Sequence, residues 1–206
     1  ALGLDESGKF LSLDVKITAN LGAHIGPSTI HPVVSNIGGI TGVYDISASH
    51  VLVEGVFSNT QNVSPYRGAG RPEATYIIER MIDIAAEKLG FDKVELRRRN
   101  MIRPEQMPFK TGLVFTYDSG DFPGLLDTAL SAANWAGFDD RRIASKSRGR
   151  IRGFGIANPI EIAGGPEQKP HSEFARVTVS PDGSVVLVSG SSDSGQGHAT
   201  AFAQIL

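Results

Sequence analysis

Two stretches of the chain gather residue types that could bind a polar ligand. The first is Pro65-Tyr66-Arg67-Gly68-Ala69-Gly70-Arg71-Pro72-Glu73-Ala74. Its glycines permit a sharp turn and a close approach of backbone to ligand. Pro72 and Glu73 suit the first turn of a following helix, whose free N–H groups and positive end attract anions. Arg67 and Arg71 add charge. The second stretch is Ser191-Ser192-Asp193-Ser194-Gly195-Gln196-Gly197-His198-Ala199-Thr200. It repeats the design, with Gly195 and Gly197 flanking Gln196, a neutral side chain able to donate and accept at once. Taken singly, each stretch is better read as a tight strand-to-helix turn. The first is no dinucleotide fingerprint, because Glu73 stands where the third glycine of Gly-x-Gly-x-x-Gly belongs. His198 reads as a capping or packing residue, since no second histidine or carboxylate stands at metal-ligand spacing from it. Together the two loops suit a large polar cofactor approached from two sides, without identifying it.

The rest of the composition narrows the chemistry by exclusion. With no cysteine, the chain itself holds no disulfide, thiolate-bound zinc, Fe–S cluster or cysteine nucleophile. Its 20 basic and 22 acidic residues are interspersed and the formal charge is -2 at a pI near 6.2, so nucleic acid is not an expected partner. No segment reaches the run of about 20 apolar residues that crosses a bilayer. Ala1 opens without the basic and apolar regions of a signal peptide, so a cytoplasmic location is expected. The chain starts without Met and stops in an apolar run, Phe202 to Leu206, that reads as an unfinished helix, so further chain is expected on both sides.

The elements that must carry these loops can be read from period and punctuation. A strand is expected over Lys9–Asn20, with a hairpin partner upstream, and a second over Val51–Thr60 with Gly55 as a candidate bulge. Between them, Gly22–Ser49 lacks a period and reads as a long loop with one short helix. Ile77, Ile78, Met81, Ile84, Ala85 and Leu89 mark a helix from Pro72 that Gly90 closes. Asp92 and Glu95 suit the start of a short basic helix through Arg97, Arg98 and Arg99, ended by Pro104 and Pro108. Asp121 caps a helix over Phe122–Trp135, with Leu125, Leu126, Ala129 and Leu130 on its apolar side. The charged run from Asp139 to Arg150 reads as a connector, dividing residues 1–138 from 151–206. Beyond it a strand is expected over Arg152–Ile162 and a hairpin over Glu173–Val179 and Ser184–Ser189 around Pro181-Asp182-Gly183. This order is α+β, without the alternation of a doubly wound sheet.

Both loops, in this order and at this distance, resemble the xanthine dehydrogenase and aldehyde oxidase family of molybdenum hydroxylases. Their large subunits carry a Phe/Tyr-Arg-Gly-x-Gly loop and, later, a Gly-Gln-Gly-His-type loop. The segment between also matches. Ala86-Glu87-Lys88-Leu89-Gly90-Phe91-Asp92, Glu95-Leu96-Arg97 and Arg99-Asn100 are similar to the family's Ala-x-x-Leu-Gly-x-Asp-Pro-x-Glu-Leu-Arg-x-x-Asn signature, with Lys93 in place of the proline.

The resemblance implies a molybdenum-molybdopterin cofactor, in its cytosine dinucleotide form, held between two α+β halves, both of them cut short here. It implies that the backbone amide of Arg67 lies beside the molybdenum ligands, with Tyr66 and Gly68 around it. It further implies that Gly195, Gln196 and Gly197, with His198 and Thr200, contact the pterin and the molybdenum oxygens. The reaction implied is hydroxylation of an aldehyde or N-heterocycle with oxygen from water. Electrons would leave through an Fe–S small subunit and an FAD medium subunit, in a dimer of heterotrimers. Within the family the first loop is similar to a second form of the carbon monoxide dehydrogenase-type large subunits. The enzymes that oxidise carbon monoxide place a copper-binding cysteine where this chain has Gly68, so copper is not expected and carbon monoxide oxidation is the alternative. A phosphate- or nucleotide-binding module without redox chemistry is the other. The family's Gly-Gly-x-Phe-Gly loop and its Gly-x-Gly-Glu segment with the general-base glutamate are absent from these residues. No cofactor retention or turnover is therefore expected of the chain by itself.

Overall fold

Leu13, Val15, Ile17 and Ala19 alternate with Asp14, Lys16, Thr18 and Asn20, and this period of two builds β2 (Phe10–Gly22), the central strand of a three-stranded sheet. The computed structural model describes residues 1–35, 37–161 and 172–206. β1 (Leu2–Leu4) pairs antiparallel with β2 and is the expected upstream partner. Its register skips Leu11, which is 45% exposed despite its apolar side chain. On the other side β3 (Ala48–Phe57) runs parallel to β2. Parallel neighbours need a crossover rather than a tight turn. That crossover holds one short helix, α1 (His31–Val34), and a 3-10 turn at Ile37–Gly39.

Gly55 is not a bulge. It pairs in register with Ala19, and the bulge lies on β2, where Leu21 is skipped between Asn20↔Val56 and Gly22↔Phe57. A Cβ on Gly55 would sit 2.6 Å from Leu21 Cδ1, so the glycine accommodates the bulged leucine.

The helix after the first glycine loop is α2 (Arg71–Leu89), closed by Gly90 at φ 77°. Its buried stripe is Ala74, Ile78, Ile82 and Ala86, with Glu79 beside it. The expected stripe was displaced: Ile77 and Ala85 are only partly buried and Leu89 is 57% exposed. α3 (Lys93–Asn100) starts at Asp92, whose carboxylate accepts from the amides of Val94 and Glu95 at 2.8 and 2.9 Å. After a two-residue-per-strand hairpin, β4 (Phe109–Lys110) with β5 (Thr116–Tyr117), comes α4 (Phe122–Ala132), capped by Asp121. It stops short of Trp135 because Asn134 turns left-handed at φ 45°. Leu126 is its buried residue, while Leu125 is 67% exposed.

Two expectations fail beyond this point. The charged run is helical, α5 (Phe138–Lys146), because Asp139 and Asp140 favour the first turn and Lys146 the last. The expected strand from Arg152 does not form. Residues 151–161 have no regular secondary structure, and Ile162 lies outside the described residues. Their side chains dock instead, Phe154 against Trp135 and Phe138 with ring centroids at 4.7 and 4.5 Å.

The chain divides into two compact units, Ala1–Ile160 and Glu161–Leu206. The core of the first joins Phe10, Leu13, Tyr44, Ile78, Ile82 and Leu96. The second contains the expected hairpin, β6 (Ala175–Val179) with β7 (Val185–Ser189), and α6 (His198–Ile205). The fold class is α+β. No helix among the described residues is long and apolar enough to cross a membrane.

Candidate functional site

The first glycine loop is two successive turns. Ala69 N–H donates to Tyr66 O at 2.7 Å with Gly68 at φ 94°, which is the geometry of a type II turn. Arg71 N–H then donates to Gly68 O at 3.0 Å, with Ala69 at φ 38° and Gly70 at φ 94°, as in a type I′ turn. Gly70 is the N-cap of α2 and is held from behind: a Cβ there would fall 2.2 Å from Pro32 O. The Ser35 hydroxyl donates to Ala69 O. The loop is therefore fixed by α1 on one side and α2 on the other.

What this geometry leaves open is the outer rim. Tyr66 and Arg67 are exposed, and among the described residues the amides of Arg67 and Gly68 donate to no acceptor. Two free N–H groups and a guanidinium form a donor set suited to anionic oxygen or sulfur. Beside the loop lies a cavity of about 410 Å³, lined by Ile17, Ile40, Val63, Gly70, Ala74 and Ile77 among others. Its size suits a small molecule or part of a larger one.

The second loop, in the other unit, is organised differently. Asp193 Oδ1 accepts from the amides of Gly195 and Gln196 at 2.8 and 2.9 Å, and its Oδ2 from that of His198 at 3.0 Å. The Gly195 amide first, and then those of His198 and Gln196, hold the Asp193 carboxyl below the ordinary carboxylate range. Gly197, at φ 74°, offers no capping side chain, so Asp193 caps α6 from outside it. The Gln196 carbonyl oxygen accepts from Ser194 N–H, which leaves the Gln196 Nε2 as the donor open among the described residues. His198 stacks on Phe202 with ring centroids 4.7 Å apart, a packing role. Thr200 is exposed. The first loop thus offers backbone donors and the second mainly a side-chain amide. Among the described residues no cluster of three or more His, Asp or Glu could hold a metal ion.

Reading the sequence missed the buried polar network under α2 and α3. Arg97, one of the three arginines of the short basic helix, is 0% exposed. Its Nε donates to Glu79 Oε2 at 2.8 Å and its Nη2 to Asp83 Oδ1 at 2.9 Å. Burial, the largest single influence, opposes the Arg97 charge, but Glu79, Tyr44 and Asp83 together outweigh it and the guanidinium pKa is raised. Glu79 Oε1 also accepts from Tyr44 Oη at 2.6 Å and from the Asn158 amide at 3.0 Å. Asn100 spans segments too, accepting from Phe10 N–H at 2.7 Å and donating to the carbonyls of Gly8 and Leu96 at 2.9 and 2.8 Å. The Leu-Arg-x-x-Asn segment is therefore architectural: it ties α3 to β2 and α2.

Comparison with known proteins matches both parts of the chain to cofactor-binding domains. One molybdopterin cofactor-binding domain model matches residues 1–101 and a second matches residues 128–206. The carbon monoxide dehydrogenase large chain of Hydrogenophaga pseudoflava is 34% identical over 220 residues, spanning 100% of this chain and 27% of the relative. The 6-hydroxypseudooxynicotine dehydrogenase complex subunit gamma of Paenarthrobacter nicotinovorans is 34% identical over 212 residues, spanning 100% of this chain and 26% of the relative. Among solved structures, quinoline 2-oxidoreductase from Pseudomonas putida 86 superposes with a TM-score of 0.79 at 30% identity, covering 99% of this chain and 27% of that one. The chain spans about a quarter of the length of these relatives.

Proposed function

Because the chain belongs to the molybdopterin cofactor-binding large subunits of the xanthine dehydrogenase and carbon monoxide dehydrogenase family, we propose that it supplies two cofactor-holding loops of a molybdenum hydroxylase. The observation that carries this reading is the rim of the first loop, where the Arg67 and Gly68 amides have no acceptor among the described residues. In this reading those amides and Tyr66 are contacts of the cofactor, as are Gly195, Gln196 and Gly197, with His198 and Thr200. The bound cofactor would supply the redox-active centre for oxidative hydroxylation. The chain's own residues bind and orient it through neutral N–H donors, which can be turned toward anionic oxygens without adding a titrating group. The general-base glutamate belongs to the rest of the subunit. Further features proposed are the cytosine dinucleotide form of the cofactor, Fe–S and FAD partner subunits in a dimer of heterotrimers, and a cytoplasmic location.

The named relatives divide between carbon monoxide and N-heterocyclic compounds, and Gly68 favours the second group. At φ 94°, a Cβ on Gly68 would lie 2.8 Å from both Cδ and Cγ of Pro72. This turn therefore has no room for the copper-binding cysteine of carbon monoxide oxidation. An aldehyde or N-heterocycle is the proposed substrate class. The intact protein, assayed with its partner subunits and an artificial electron acceptor in 18O-labelled water, is expected to yield a hydroxylated product carrying one labelled oxygen. Turnover of carbon monoxide, with none of aldehydes, purines, quinoline or nicotinate, would contradict it.

A further inference from the structure

One charged group in the second loop has no part in the reading above. Asp193 gathers three amides with one carboxylate, from Gly195, Gln196 and His198, at 2.8, 2.9 and 3.0 Å. Those donors span the turn from its first glycine to the first residue of α6. Little else shapes the turn: residues 192–197 are exposed, and a Cβ on Gly197 would meet nothing within 4 Å. Gly195 and Gly197 sit at φ 98° and 74°, where glycine moves freely between alternatives, so an outside tether must select this one. The conformation so selected has a definite consequence for Gln196. Its carbonyl oxygen is taken by Ser194 N–H, and its Nε2 is left as the open end. An amide side chain free to rotate would present either end; this one presents a donor.

We propose that Asp193 is a positioning residue for Gln196. By holding the Gly195, Gln196 and His198 amides, it sets the turn in which Ser194 engages the Gln196 oxygen, so that Gln196 meets the cofactor as a hydrogen-bond donor. The proposal rests on the reading that Gln196 contacts the cofactor. Asp193 itself touches no substrate or cofactor atom in this scheme; it acts through the loop.

The test uses the intact protein and two readouts, amide hydrogen exchange at residues 194–198 and molybdenum retained after gel filtration. Asp193→Ala is expected to speed exchange at Gly195, Gln196 and His198 by about tenfold or more, as loss of charge-assisted hydrogen bonds implies. Asp193→Asn, which keeps one acceptor oxygen but turns a donor on His198 N–H, should fall between. Gln196→Ala should lower molybdenum retention while leaving exchange at Gly195 and His198 within about twofold of the parent. Adding Asp193→Ala to Gln196→Ala should lower retention no further. Unchanged exchange in Asp193→Ala overturns the proposal, and so do additive losses of molybdenum in the double variant. If Gln196→Ala retains molybdenum and turnover while Asp193→Ala still speeds exchange, the contact assigned to Gln196 is the part that fails, and the positioning role falls with it. Should Asp193→Ala not accumulate as folded protein, Asp193→Asn carries the same comparison.

Discussion

Gly68, Gly70 and Arg97 show how differently residues of one short region can be judged from their letters. The glycines were legible: a turn that opens a helix asks for positive φ, and both lie at 94°. The severity of each position was not, since it is set by Pro72 on one side and by Pro32 O, 38 residues upstream of Gly70, on the other. Gly68→Ala should destabilise the protein by about 1–3 kcal/mol through left-handed strain. Gly70→Ala should cost more, because its Cβ meets backbone at 2.2 Å. Thermal unfolding of the two variants side by side checks the order. Arg97 misleads in the opposite direction. In Leu96-Arg97-Arg98-Arg99 it reads as one of three basic residues of a short helix, and only the fold brings Glu79 and Asp83 to it. Arg97→Met leaves Glu79 buried without its cation and is expected to destabilise by about 3–5 kcal/mol. Replacing its half-buried neighbour, Arg98→Met, which pairs with the exposed carboxylates of Glu95 and Asp127, should cost under about 1 kcal/mol.

At the scale of elements, capping and period served where the contacts are local. α2, α3 and the β6–β7 hairpin follow from Gly90, Asp92 and Pro181-Asp182-Gly183. Where partners are distant the reading failed. Residues 151–161 alternate as a strand would but pair with no strand among the described residues, and they dock through Phe154, the Ile156 carbonyl and Asn158 instead. The charged run 139–150 looked like a linker because it keeps few apolar residues, and in the helix that forms there Ile143 is 67% exposed. Buried tyrosines tie the elements together and give a pH prediction. Burial raises Tyr117 to about 12 from its usual 10.0, and its hydroxyl donates to Gly42 O at 2.8 Å. Burial, reinforced by the Glu79 carboxylate, raises Tyr44 further. A folded-state pKa above the unfolded one means that the neutral hydroxyl stabilises the fold below pH 10 and that this support is lost as pH rises toward 12. Thermal stability should therefore fall over that window, and Tyr117→Phe should flatten the fall. A stability independent of pH there would contradict the burial of both rings.

At the scale of the molecule, the two loops stand in separate compact units, each opening a helix and each with its own anchor. Sequence gave their order and character but could not show that one offers backbone amides and the other a tethered side chain. The second unit exposes Val177, Val179, Val185, Val186 and Val188 along its hairpin, a surface that suits burial against further chain. The chain also spans about a quarter of its relatives. Expressed alone, these 206 residues are therefore expected to retain no stoichiometric molybdenum after gel filtration. Retention at one atom per chain would show that two loops suffice.

The central claim, that this chain holds part of a molybdopterin site, is tested most directly by metal and nucleotide content of the intact protein. Elemental analysis with acid release of bound nucleotide is expected to find about one molybdenum and one cytidine nucleotide per large subunit, in line with one cofactor per pair of loops. Neither molybdenum nor cytidine nucleotide in protein from cells well supplied with molybdate, together with heat protection by ATP or phosphate, would contradict it and leave the loops as anion-binding turns without redox chemistry.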